Sequence, residues 1–115
     1  MTNSEIKSII ENIITISIMQ GENEATFSKG EISKSMSSKE TEAYEFRMKQ
    51  YNSIILPVLN DEQKSYLDTV ITKSKMQGEL KSHFESNAIS EKRFNKSFEA
   101  LTFGIESNIS YMELN

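Results

Sequence analysis

Residues 3–58 align on residues 60–115 without a gap, at a constant offset of 57, and nineteen of the 56 pairs are identical. The clearest anchor is Met19-Gln20-Gly21-Glu22, which returns unchanged as Met76-Gln77-Gly78-Glu79. Around it stand Glu5/Glu62, Lys7/Lys64, Ile14/Ile71, Thr15/Thr72, Ser17/Ser74, Phe27/Phe84, Ile32/Ile89, Ser33/Ser90, Lys39/Lys96, Glu42/Glu99, Ala43/Ala100 and Phe46/Phe103, among others. A half-length unit exposes an apolar face that it cannot bury alone, and a second copy of the same unit is its natural cover. The expectation is one domain over residues 1–115, built of repeats 3–58 and 60–115 related by an approximate two-fold axis. A fused ancestral homodimer has this pattern.

With 115 residues the chain is long enough for a core without covalent staples, and zero cysteines exclude disulfides and thiolate metal sites. The net charge of −4 is spread evenly: six Lys/Arg against eight Asp/Glu in residues 1–58, seven against nine in 59–115. Phosphate-tracking surfaces cluster Lys and Arg, so no nucleic-acid partner is expected. No apolar run is long enough for a membrane span. Met1-Thr2-Asn3-Ser4-Glu5 is not a basic leader before an apolar stretch. The sequence as written therefore reads as cytoplasmic, or periplasmic if a signal peptide has been removed.

Each repeat reads as helix, loop, helix, and the whole as an all-α fold of four helices, short-long-short-long. From Glu62 to Met76 the apolar residues fall at 66, 67, 70, 71 and 76, one face of a 3.6-residue period, and Glu5 to Met19 is the matching helix. Gly21 and Gly78 follow the last apolar residue and are read as left-handed stops. Ser33 and Ser90 are placed to cap the second helices. From Ser90 onward, Phe94, Phe98, Leu101, Ile105, Ile109 and Met112 form one apolar seam. In the first copy Ser37 and Thr41 replace the two leading phenylalanines, which predicts either a cleft there or compensating packing by Phe27. Pro57 ends the first long helix, and Asn60 or Asp61 caps the next.

Where the copies differ in polarity, their environments are expected to differ. Ile6, Ile16 and Ile18 correspond to Gln63, Lys73 and Lys75, so the first helix carries isoleucines beyond what an intramolecular core seen twice requires. Together with Ile9 and Ile13 they are the candidate partner surface, an apolar stripe for a second copy or another protein. Deeper burial of this helix is the competing explanation.

No motif points to catalysis. His83 is read as a solvated residue of the second loop, without partners at metal-ligand spacing. Gly30-Glu31-Ile32 echoes a calcium loop, but Ala25, Phe27 and Lys29 stand where carboxylates are needed. Met48, Met76 and Met112 are in phase with the core. Carboxylates are scattered singly, and neither a phosphate-binding glycine loop nor a Ser/His/Asp set is present. Neither a metal nor a cofactor is expected, and the chain reads as a non-enzymatic helical interaction module, homodimeric through its Ile-rich first helix. A small acidic inhibitor or immunity-type protein belongs to the same class.

The stretch Arg47-Met48-Lys49-Gln50-Tyr51-Asn52-Ser53-Ile54-Ile55-Leu56-Pro57-Val58-Leu59-Asn60-Asp61-Glu62-Gln63-Lys64 resembles the long-helix-then-LTxxQ junction of the Spy/CpxP family. Here the motif is Leu59-Asn60-Asp61-Glu62-Gln63, with asparagine in place of threonine. The resemblance implies an all-α, dimeric, ATP-independent chaperone or envelope-stress protein that holds unfolded clients on a concave apolar face.

Overall fold

Four side chains start four helices by the same bond: Thr2, Ser33, Asn60 and Ser90 each accept from the backbone N–H three residues on, that of Glu5, Met36, Gln63 and Arg93. This satisfies one of the donors that a helix leaves open at its first turn. At Thr2 and Asn60 the bond is reciprocated by the Glu5 and Gln63 side chains, closing two capping boxes. Gln63 also donates through Nε2 to the Met112 carbonyl at 2.9 Å, tying the start of the third helix to the end of the fourth.

The computed structural model describes residues 1–114. The helices are α1 (Asn3–Ser28), α2 (Lys34–Ile55), α3 (Asp61–Glu85) and α4 (Glu91–Tyr111), with a 3₁₀ turn at Leu56–Val58. The described chain is all-α. The lengths of 26, 22, 25 and 21 residues reverse the expected short-long alternation. Gly21 and Gly78 do not stop α1 and α3, which run on to Ser28 and Glu85. The left-handed stops are Gly30 (φ 75°) and Asn87 (φ 59°), themselves an equivalent pair at the offset of 57. Both close the helix by two bonds: Gly30 and Glu31 donate to the Phe27 and Thr26 carbonyls, and Asn87 and Ala88 to those of Phe84 and His83. Consequently His83 lies in the last turn of α3 rather than in a loop.

Gly21 and Gly78 serve a different purpose. A Cβ added to Gly21 would overlap the Lys75 carbonyl oxygen and lie 2.9 Å from the Lys75 Cα; at Gly78 it would overlap the Ile18 carbonyl oxygen. Lys75 is the counterpart of Ile18, so the two contacts are one contact repeated by the pseudo-two-fold axis. The backbones of α1 and α3 touch there, which any side chain would prevent. Ser17 and Ala25 precede and follow Gly21 by one turn, as Ser74 and Ser82 do Gly78, and all four are buried. Small residues at every fourth position let the helices lie close over two turns.

The polar contacts where α1 and α3 end join similar heights of the two repeats. Thr26 and Ser82 share a hydrogen bond of 2.9 Å, Lys29 donates to the Ser82 carbonyl at 2.7 Å, and Ser86 Oγ donates to Glu31 at 2.7 Å. The bond from Ser86, with Lys29 beside it, holds the Glu31 carboxyl below the usual carboxylate range. α1 and α3 thus run side by side in the same direction. α2 packs on α1 and α4 on α3, giving the row α2–α1–α3–α4 in a body of 41 × 33 × 19 Å.

The core sits at the end of the row away from the two loops. Ile6, Ile10 and Ile13 of α1 meet Leu67 of α3, Ile55 of α2, and Leu59, Met112 and Leu114 from the ends of the hairpins. Each such side chain contributes about 1.5–3 kcal/mol by leaving water. Met48 packs against this cluster and Met112 is buried in it, but Met76 is exposed, against the expectation from its phase.

Candidate interaction surfaces

The isoleucine stripe of the first helix is not a free surface. Ile6, Ile13 and Ile16 are buried, and Ile9 and Ile18 are half-buried. α1 is an inner helix with a neighbour on either side. The polar counterparts in α3 misled because they are not wet either: Gln63, Lys73 and Lys75 are all partly buried. Gln63 is held in its capping box, and the end of the Lys73 side chain lies where a Cβ of Gly104 would be, with Cδ 2.9 Å from that point. A lysine stem is apolar, and here it lies against α4 at Gly104. The first copy carries Ile16 and Arg47 at these two positions, the long side chain having moved to the other helix.

The residues facing away from the row behave otherwise. Between α2 and α4 the identical pairs are Lys39/Lys96, Glu42/Glu99, Ala43/Ala100, Phe46/Phe103 and Ser53/Ser110, and all ten residues are exposed. The positions that face α1 and α3 differ every time: Ser37/Phe94, Thr41/Phe98, Tyr44/Leu101, Met48/Ile105, Tyr51/Asn108 and Ile55/Met112. Their steps of three and four place the identical residues on one stripe, opposite the buried seam. Phe46 is 64% and Phe103 73% exposed, so each copy leaves a phenyl ring in water at the same place. The identities of these residues were visible in the sequence, as was the helical phase. Only their combination marks the surface, and the isoleucine stripe drew attention from it.

A cleft recurs at the same place in both hairpins. Met19, Glu22, Asn23, Thr26, Ile32, Glu40 and Tyr44 line one of about 290 Å³. Met76, Glu79, Leu80, His83, Ser97, Ala100 and Leu101 line the other, of about 450 Å³. Burial, with Glu40 and Glu22 nearby, pushes the Tyr44 hydroxyl up from its ordinary pKa. The repeated tetrapeptide thereby finds most of its roles: glycine at the α1–α3 contact, methionine and glutamate on the cleft, and, in the second copy, glutamine toward the hairpin partner. Gln77 donates to Thr102 Oγ1 at 2.8 Å, and in the first hairpin Asn23, one turn further on, does the same to Thr41 at 3.0 Å.

Beside Ser37 and Thr41 lies a cleft of about 320 Å³ bordered by Phe27. In the second copy the equivalent Phe84 stacks on Phe94, with ring centroids 4.4 Å apart, and Phe94 meets Phe98 at 5.3 Å. Two phenylalanines thus account for the difference between the hairpins. Among the described residues no three His, Asp or Glu side chains gather to hold a metal ion, and no helix is long and apolar enough to cross a membrane. No family model, curated protein or solved structure matches the chain.

Proposed function

We propose that the chain is a non-enzymatic protein-interaction module whose working surfaces are the outward stripes of α2 and α4. One observation carries this reading: every residue that α2 and α4 share at equivalent positions faces solvent, while the positions that face α1 and α3 all differ. Packing constrains buried positions and leaves exposed ones free, so agreement confined to the exposed side needs a constraint from outside the fold. An exposed phenylalanine flanked by alanine, lysine and glutamate offers an aromatic anchor with a polar rim, the composition of a docking face.

A photo-reactive phenylalanine analogue at position 46 or 103 of the full chain, in its native cell, tests this. Each position is expected to give a discrete adduct, lost when the neighbouring alanine is changed (Ala43→Glu or Ala100→Glu). The same probe at Glu11, on the exposed side of α1, should give none. Absence of adducts from 46 and 103, or equal labelling from Glu11, would remove the reading.

A Spy-like client-holding role is the second reading. The junction that carries that resemblance is a capping box at Asn60 and Gln63, and Ile54, Leu56 and Val58 leave an apolar rim beside it. Clients of a chaperone are unfolded chains of many kinds, so the adducts would form a heterogeneous series instead of one species.

A further inference from the structure

The stripe on α4 is complementary to itself. From N to C terminus it carries Arg93, Lys96, Glu99, Ala100, Phe103 and Glu106, all exposed. When two copies of α4 are laid antiparallel, with Glu99 of one beside Ala100 of the other, the remaining residues pair in turn. Arg93 meets Glu106, and Lys96 meets Phe103, and each pair occurs twice because the arrangement has a two-fold axis. A cation thus faces a carboxylate at both ends, and a lysine stem lies over a phenyl ring on either side of the small central residues. Parallel packing would instead set Arg93 on Arg93 and Glu106 on Glu106. Neither Arg93 nor Glu106 takes part in an ion pair among the described residues.

We propose that a second copy of this chain covers this stripe, forming a homodimer through antiparallel α4 helices. The proposal rests on the reading of the outward stripes as docking faces and names the occupant of one of them. Continuity of the fold supports it: α1 and α3 each pack on two helices, whereas α4 packs on one, and the dimer supplies the second. The equivalent stripe on α2 keeps the centre, Lys39, Glu42, Ala43 and Phe46, but its ends are Met36 and Lys49. An antiparallel α2 pair would lack both ion pairs and would bring Arg47, where α4 has Gly104, close to Lys39 of the other copy. The α4 edge is therefore the homotypic one, and the α2 edge stays open in the dimer.

Solution mass by light scattering over a range of concentrations decides the matter. The parent should approach twice the 13.2 kDa of one chain. Phe103→Glu should be monomeric and Phe46→Glu dimeric, with unchanged helix content in both. Arg93→Glu should weaken the dimer about tenfold or more, as loss of a paired charge does. Adding Glu106→Arg to the same chain should restore it, since the exchange keeps every pair. A parent that stays monomeric, a dimer lost with Phe46→Glu and not with Phe103→Glu, or a charge exchange that fails to restore association would each overturn the proposal. A monomeric parent leaves the docking reading intact, because adducts from positions 46 and 103 report on it independently.

Discussion

Gly21→Ala is expected to destabilise the chain by about 3 kcal/mol or more, and Gly78→Ala by the same amount, well above the usual cost of an added methyl group. Alanine favours a helix over glycine by about 1 kcal/mol, so propensity alone predicts the opposite sign. The difference lies in what the methyl group meets. At Gly21 it is the backbone carbonyl of Lys75, at Gly78 that of Ile18, and neither can turn aside as a side chain does. Relief requires α1 and α3 to separate along the line where Ser17, Ala25, Ser74 and Ser82 are buried. Gly104→Ala is the contrasting case. Its Cβ would meet only the end of the Lys73 side chain, which can swing into solvent. Denaturant unfolding of the three variants checks the order; a Gly21→Ala protein as stable as the parent would mean that the helices do not touch there.

The second large effect concerns Ile16, which is buried, although its counterpart Lys73 shows that a lysine fits the equivalent place. Ile16→Lys is expected to cost about 3 kcal/mol, in the range for an unpaired charge forced into a packed site. In the second hairpin the lysine lies over Gly104, whereas the first hairpin has Arg47 there, bulky and of like charge. Arg47→Gly by itself costs about 1 kcal/mol as a glycine in an exposed helix. The double variant copies the second hairpin, so it should be more stable than the sum of the two single changes predicts, by about 1 kcal/mol or more. Chemical unfolding of the four proteins measures this coupling directly. Strict additivity would mean that positions 16 and 47 do not face each other.

The parts of the fold that the sequence made legible are those set by local chemistry. The caps at Ser33, Ser90 and Asn60 and the seam from Phe94 to Met112 depend on residues within a few turns of one another. The duplication added the long-range fact that two like hairpins pack together. What it hid was the use of Gly21 and Gly78. A glycine after an apolar run reads equally as a stop or as a point of close approach, and only the neighbour's backbone separates the two. The same holds for Lys73, whose charge suggests water while its stem packs on α4. For the surface, polarity was a poor guide in both directions. The isoleucines of α1 are buried or half-buried, and the exposed residues that recur at the same outward position in both repeats include a phenylalanine and an alanine.

All of this depends on α1 and α3 running in the same direction, which makes α2 and α4 the two outer edges of one row. The chain has no cysteine, so a single engineered pair gives an unambiguous readout. Thr26 and Ser82 have their hydroxyl oxygens 2.9 Å apart near the loop end of the two helices. The variant Thr26→Cys, Ser82→Cys should close an intramolecular disulfide on mild oxidation of the folded protein, seen as a faster-migrating monomer under non-reducing conditions. If the folded protein keeps both thiols free or forms only intermolecular bonds, α1 and α3 are not arranged in this way, and the two outward stripes lose their common origin.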